Sequence, residues 1–203
     1  RHPWYCHSPL PVPTSTPVAL PLWLMATIWS VPSMVASTGD EALRKKVHYI
    51  VEELAACQEA HGDGYLAAFP NGRTCFKEVA AGHIRSKGFD LNGIWVPWYT
   101  LHKEFAGLLD AYRYCGSEKA LDVACRLADW ACGVTKHLTD EPWQTMLACE
   151  HGGMNEVLAE LYAVTGEERY LALSRRFHHE AILDPLARAE DILPGKHANT
   201  QFP

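Results

Sequence analysis

Three stretches concentrate the side chains that can hold a polar ligand: Trp95 to Lys103 (WVPWYTLHK), Glu150 to Glu156 (EHGGMNE) and His197 to Gln201 (HANTQ). Trp95, Trp98 and Tyr99 offer flat apolar faces on which a sugar ring can stack. His102, Asn155, His197, Asn199 and Gln201 offer donors and acceptors that tell one hydroxyl orientation from another. Glu150 and Glu156 have the chemistry of a general acid and its partner; carboxylates near a helix start also simply favour the helix dipole. The alternatives for the ring side chains are core packing for Trp95 or Trp98 and a hydrogen-bonded core histidine for His102. Gly152 and Gly153 open an otherwise apolar helix, which costs stability unless the backbone must pass close to something.

Other chemistries are poorly supplied. His178 and His179 are adjacent and point to different faces, so they make a poor metal pair. No nucleophile elbow, phosphate loop or H-E-x-x-H stands in the chain. Its seven cysteines are odd in number and none form a C-x-x-C pair, so they write neither a zinc knuckle nor a complete disulfide framework. Cys125 and Cys132, seven apart, share one helical face and read as lining of a packing seam. This usage leans towards a reducing compartment.

Of 203 residues, 48% are hydrophobic and 21% charged, a composition with enough apolar residues for a real core. Lys plus Arg number 18 against 24 Asp plus Glu, a net charge of −6 without a basic cluster, which argues against a nucleic-acid partner. Between Arg1 and Asp40 there is no charged residue, and seven of the 13 prolines fall there. The apolar run from Val18 to Ala36 is interrupted by Pro21 and Pro32 and has no basic cluster before it, so neither a membrane span nor a signal peptide is expected. Residues 1–35 thus form an atypical Pro-rich segment, and residues 36–203 the folded domain.

Helical spacing runs through 40–60, with Leu43, Val47, Ile50, Val51 and Leu54 on one face and Thr38 and Asp40 as the start signal. It returns at 97–114, 117–136, 152–165 and 167–179. Residues 62–96 are broken by glycine and proline and predict a long loop with one apolar piece, Tyr65 to Phe69. Residues 108–121 align with 157–171, and the centre of this repeat recurs at 37–43. Each copy is a helix, a closing glycine (Gly39, Gly116, Gly166) and an acidic start to the next helix, the signature of an antiparallel helix hairpin. The glycines are 77 and 50 residues apart, too far for a 34-residue solenoid, so an all-α toroid of helical hairpins is expected. By analogy, such toroids hold a sugar in the central cavity.

The motifs Gly64–Pro70 (GYLAAFP), Trp95–Lys103, Ala106–Asp110 (AGLLD), Glu150–Glu156 and His197–Gln201, in this order, closely resemble glycoside hydrolase family 127, which includes β-L-arabinofuranosidases. The resemblance implies an (α/α)6 barrel, incomplete in this chain, that removes terminal L-arabinofuranose or a related sugar from a glycan with retention. It assigns catalysis to a zinc-bound cysteine and a glutamate acid/base that all follow the HANTQ motif. No catalytic residue and no zinc ligand is therefore expected here, and this chain alone is expected to be inactive. What carries over is sugar contact: His102 and His197 match histidines that touch arabinose, with Trp98, Tyr99, Glu150 and Asn199 shaping the pocket. Relatives carry a Gly-His-Tyr-Leu stretch ahead of Ala36–Asp40, and Met25–Trp29 is compatible with codons that spell it in another frame. Residues 1 to about 29 are thus expected to be a frameshifted translation. The competing readings are a non-catalytic helical module that binds carbohydrate or protein, and another (α/α)6 sugar enzyme that works without zinc.

Overall fold

The computed structural model describes residues 28–192, which are mostly helical. In chain order the elements are α1 (Val31–Thr38), α2 (Glu41–His61), α3 (Gly72–Ala80), β1 (Ser86–Lys87), β2 (Asp90–Leu91), β3 (Ile94–Trp95), α4 (Pro97–Cys115), α5 (Glu118–Thr135), α6 (Asp140–Leu147), α7 (Met154–Thr165), α8 (Glu168–Arg176) and α9 (Glu180–Ala187).

The repeated glycines make the same turn three times. Gly39, Gly116 and Gly166 have φ of 68°, 69° and 74°, where an L side chain is strained. Their amides return to the carbonyls of Val35, Tyr112 and Tyr162 at 2.8, 3.1 and 2.7 Å, closing α1, α4 and α7. The next helix is capped at once: the Asp40 carboxylate accepts from the amides of Ala42 (2.7 Å) and Leu43 (3.2 Å), and the Ser117 hydroxyl accepts from that of Ala120 (3.3 Å). Three hairpins result, α1–α2, α4–α5 and α7–α8, as the internal repeat predicts.

Each hairpin gives one helix to each of two layers. In the first layer α1 packs on α4 and α4 on α7; in the second, α2 packs on α5 and α5 on α8. This is the arrangement of consecutive hairpins in a helical barrel. Polar ties hold the layers in register. Arg44 donates to the carbonyl of Tyr114 at 2.7 Å, and His48 Nε2 lies 3.1 Å from that of Cys115, at the electronegative end of α4. Gln58, 1% exposed, donates from α2 to the carbonyls of Gly64 and Val123. Cys125 and Cys132 do lie in a seam: the Tyr170 hydroxyl of α8 donates to the Cys125 carbonyl, and Cys132 Sγ is 4.0 Å from that of Arg169.

The segment 62–96 is more ordered than its glycines suggest. It holds α3 and a three-stranded antiparallel sheet in the order β1-β2-β3. α3 buries Cys75, Phe76 and Val79 and is nine residues long, too short for periodicity to reveal. Asn92 organises the sheet, donating to Glu78 (2.9 Å) and the His83 carbonyl (2.8 Å) and accepting from the Arg85 amide (2.6 Å). At the other end of the described chain, α1 begins before residue 36, with Ile28, Val31 and Val35 buried. No described helix is long and apolar enough to cross a membrane.

Helix α4 is buried on nearly every side. One of its buried residues is a carboxylic acid: Glu104 is 2% exposed and neither oxygen has a hydrogen-bond partner. Burial holds its pKa well above the ordinary carboxylate range, so the folded protein keeps it protonated. The folded state therefore binds a proton that the unfolded chain releases above about pH 4.3, and stability falls as pH rises from there. Glu104→Met is expected to stabilise the protein by about 1–3 kcal/mol at pH 8 and by less at pH 4.5. Urea melts at the two pH values measure this; an equal or opposite effect would contradict it.

Candidate active site

The N-terminal end of α4 is set by a strained residue. Val96 precedes the helix at φ 37°, ψ 53°, a left-handed conformation that a β-branched side chain rarely adopts, and its amide donates to the Phe89 carbonyl at 2.8 Å. Proline follows at the first helical position, where its missing N–H costs nothing. The bend separates the two tryptophans. Trp95 is 72% exposed, whereas Trp98 is 1% exposed. The Trp98 ring packs against Phe76 and Phe177 at 5.2 and 5.3 Å, and its Nε1 donates to Met146 Sδ at 3.2 Å. Trp98 is thus a core side chain in this structure and presents no face to a ligand; it holds the next turn of α4 in place.

One turn further on, His102 meets Gly152 and Gly153, in the turn that leads into α7. A Cβ on Gly152 would lie 2.5 Å from His102 Nδ1 and 3.0 Å from Tyr99 Cδ2, and one on Gly153 would lie 3.0 Å from His102 Nε2. The imidazole therefore occupies the space that the two glycines leave; they stand in the turn before α7 rather than inside the helix, and it is the close approach that excludes a side chain there. Gly152 also has φ 57°. The same point beside Gly153 lies 2.9 Å from Glu156 Oε2, so the Glu156 carboxylate and the His102 ring converge there. Tyr99, half-buried, meets the His102 ring edge to face at 6.0 Å. Lys103 Nζ lies 4.6 Å from the Trp29 ring and 5.3 Å from that of Tyr99.

His102 is 8% exposed and its Nδ1 is buried without a hydrogen-bond partner. Burial first, then the charges of Lys103 and His151, lowers its pKa to about 4. At neutral pH the ring is uncharged and offers one donor and one acceptor. His151 is fully buried, with Nδ1 3.2 Å from the Cys149 carbonyl. Glu150, beside it, is half-buried. His102, Tyr99 and Glu150 thus occupy the α4 start and the loop into α7, while His197 and Asn199 lie outside the described residues. Glu156, one of the two carboxylates singled out by sequence, lies in this cluster, and Lys103 and Trp29 join it; of these two, Lys103 stands inside the WVPWYTLHK motif.

Among the described residues no three His, Cys, Asp or Glu side chains are placed to share a metal ion. The thiols are equally unsuited: burial pushes Cys75 and Cys149 up to about 12, so both are protonated at neutral pH. The chemistry they do support is recognition of a hydroxylated ligand by a neutral imidazole, an aromatic face, a cation and carboxylates.

The family model of the β-L-arabinofuranosidase GH127 catalytic domain matches residues 24–203. Among solved structures, a GH127 β-arabinofuranosidase superposes with a TM-score of 0.51 at 23% identity, over 76% of this chain and 23% of that one. A GH127 β-L-arabinofuranosidase from Geobacillus stearothermophilus T6 gives 0.49 at 20% identity, over 83% and 25%. The chain thus spans about a quarter of the length of these enzymes. No protein of curated function matches it significantly.

Two measurements check this geometry. Gly152→Ala forces a left-handed alanine against the imidazole, and is expected to cost about 2–4 kcal/mol in chemical denaturation. In an NMR titration His102 is expected to titrate near pH 4, with stability lost as pH falls from about 6.5, the unfolded value, towards it. An ordinary histidine titration would show that the ring is not buried as described.

Proposed function

Because the chain belongs to the β-L-arabinofuranosidase GH127 catalytic-domain family, we propose that it is the sugar-holding part of a glycoside hydrolase that releases terminal β-L-arabinofuranose, or a related sugar, from a glycan. The observation that carries this reading is the His102 ring seated against Gly152 and Gly153. A neutral imidazole fixed by packing exchanges hydrogen bonds with a sugar hydroxyl without first losing rotamer freedom. Tyr99 lends an aromatic face and Glu150 a carboxylate that accepts from hydroxyls. His197 and Asn199, through their family resemblance, complete the pocket, and Trp98 acts from behind as a positioning residue.

Cleavage with retention needs a nucleophile and an acid/base. In the family these are a zinc-bound cysteine and a glutamate beyond the HANTQ motif, and zinc there supplies an activated thiolate. This chain's own part is to bind and orient the sugar.

The 203-residue chain is expected to bind L-arabinose in ligand-observed NMR, with affinity reduced at least about tenfold in His102→Ala, the loss of one buried hydrogen bond. It is expected to release no nitrophenol from p-nitrophenyl β-L-arabinofuranoside. Absence of arabinose binding would overturn the pocket, and sustained turnover by this chain would overturn the division of labour.

A further inference from the structure

A second concavity, sharing no residue with the His102 cluster, opens between α3 and α5. It has a volume of about 480 Å3, within the roughly 300–1,000 Å3 range of small-ligand pockets. Its floor is aromatic. The half-buried Trp130 ring lies 4.8 Å from Phe76, nearly perpendicular, and 5.0 Å from Tyr65. The Tyr65 hydroxyl is buried without a hydrogen-bond partner. Trp98, inside the core, packs against Phe76 and Trp130 on this side and Phe177 on the other.

The rim is polar and balanced in charge. Arg73 pairs with Asp63 at 2.8 Å and lies over the Tyr65 ring at 5.2 Å. Asp129 receives Arg169 at 2.7 Å and the Tyr170 hydroxyl at 3.1 Å, both on Oδ1, and its other oxygen takes part in none of these bonds. Lys77 is exposed and forms no ion pair among the described residues. Two acids face two bases, so the rim favours neither an anion nor a cation. It offers donors and acceptors to hydroxyl groups around an apolar floor.

Gly133 supplies an independent sign. It sits inside the last turn of α5, outside the left-handed region, and a Cβ there would meet nothing within 4 Å. Neither conformation nor crowding requires glycine, which costs helix stability at such a place. What the missing side chain does is leave the concavity open.

We propose that this concavity is a second, non-catalytic site that holds a neutral sugar residue of a glycan, stacked on Trp130 and hydrogen-bonded by Asp129 and Lys77. It would keep a polymer on the protein while a chain end occupies the His102 pocket. The ligand class rests on the glycoside hydrolase reading; the site itself rests on the concavity, its rings and Gly133.

Native gels containing a soluble arabinogalactan test the idea. The wild-type chain is expected to be retarded. Gly133→Gln, which fills the concavity without disturbing the core, is expected to lose most of that retardation while melting at or slightly above the wild-type temperature and binding L-arabinose normally; Lys77→Ala is expected to weaken it several-fold. His102→Ala is expected to keep most of it. Retardation unchanged in Gly133→Gln, or no retardation of the wild type, would overturn the second site. Retardation that depends on Gly133 in a protein that does not bind free arabinose would sink the His102 pocket instead and leave this site standing.

Discussion

Helix α4 is gripped on both flanks where no Cβ fits. On the α1 side, a Cβ on Gly107 would lie 2.4 Å from the Ile28 carbonyl; on the α7 side, Gly152 and Gly153 close on the His102 ring. Packing at this density transmits position almost without slack. The first layer is therefore spaced by backbone contacts rather than by interchangeable side chains, and the imidazole is one of the spacers. A residue that fixes the distance between two helices cannot also swing freely, so the His102 ring is held rigid by packing alone.

The same crowding decides the electrostatics. Water excluded from around α4 leaves His102 uncharged, Glu104 protonated and the neighbouring thiols of Cys75 and Cys149 protonated. Charge survives where solvent or an aromatic face receives it: Lys103 between Trp29 and Tyr99, Arg73 over Tyr65, Arg169 over Tyr170. The protein thus separates buried, neutral polar groups from cations held on aromatic platforms.

How much of this the sequence discloses depends on how local the cause is. Gly39, Gly116 and Gly166 with Asp40 and Ser117 are local devices, so the hairpins and their order can be read directly. The Gly152–Gly153 pair announces a close approach without saying to what. The tryptophans resist prediction, because Trp95 and Trp98 are the same residue type three positions apart and their opposite fates follow from Val96, whose left-handed backbone is imposed by the sheet bond to Phe89. α3 is hidden among glycines because it starts on Asn71, in a left-handed conformation, and Gly72, and runs for only nine residues. Of the candidate sugar contacts, His102, Tyr99 and Glu150 are brought to one end of the hairpins, and Trp98 is drawn into the core.

The hairpin turns have a consequence for how such a domain can change. At one end of the layers every connection is two residues, a left-handed glycine and the residue that starts the next helix. At the other end the connections are 62–96 and 136–153, and these carry the sheet, α3, α6 and the approach to Gly152. Lengthening a connection there costs only the slowly growing entropy of a longer loop. A change of length there leaves untouched the three glycine turns at the opposite end, and with them the register of the helices.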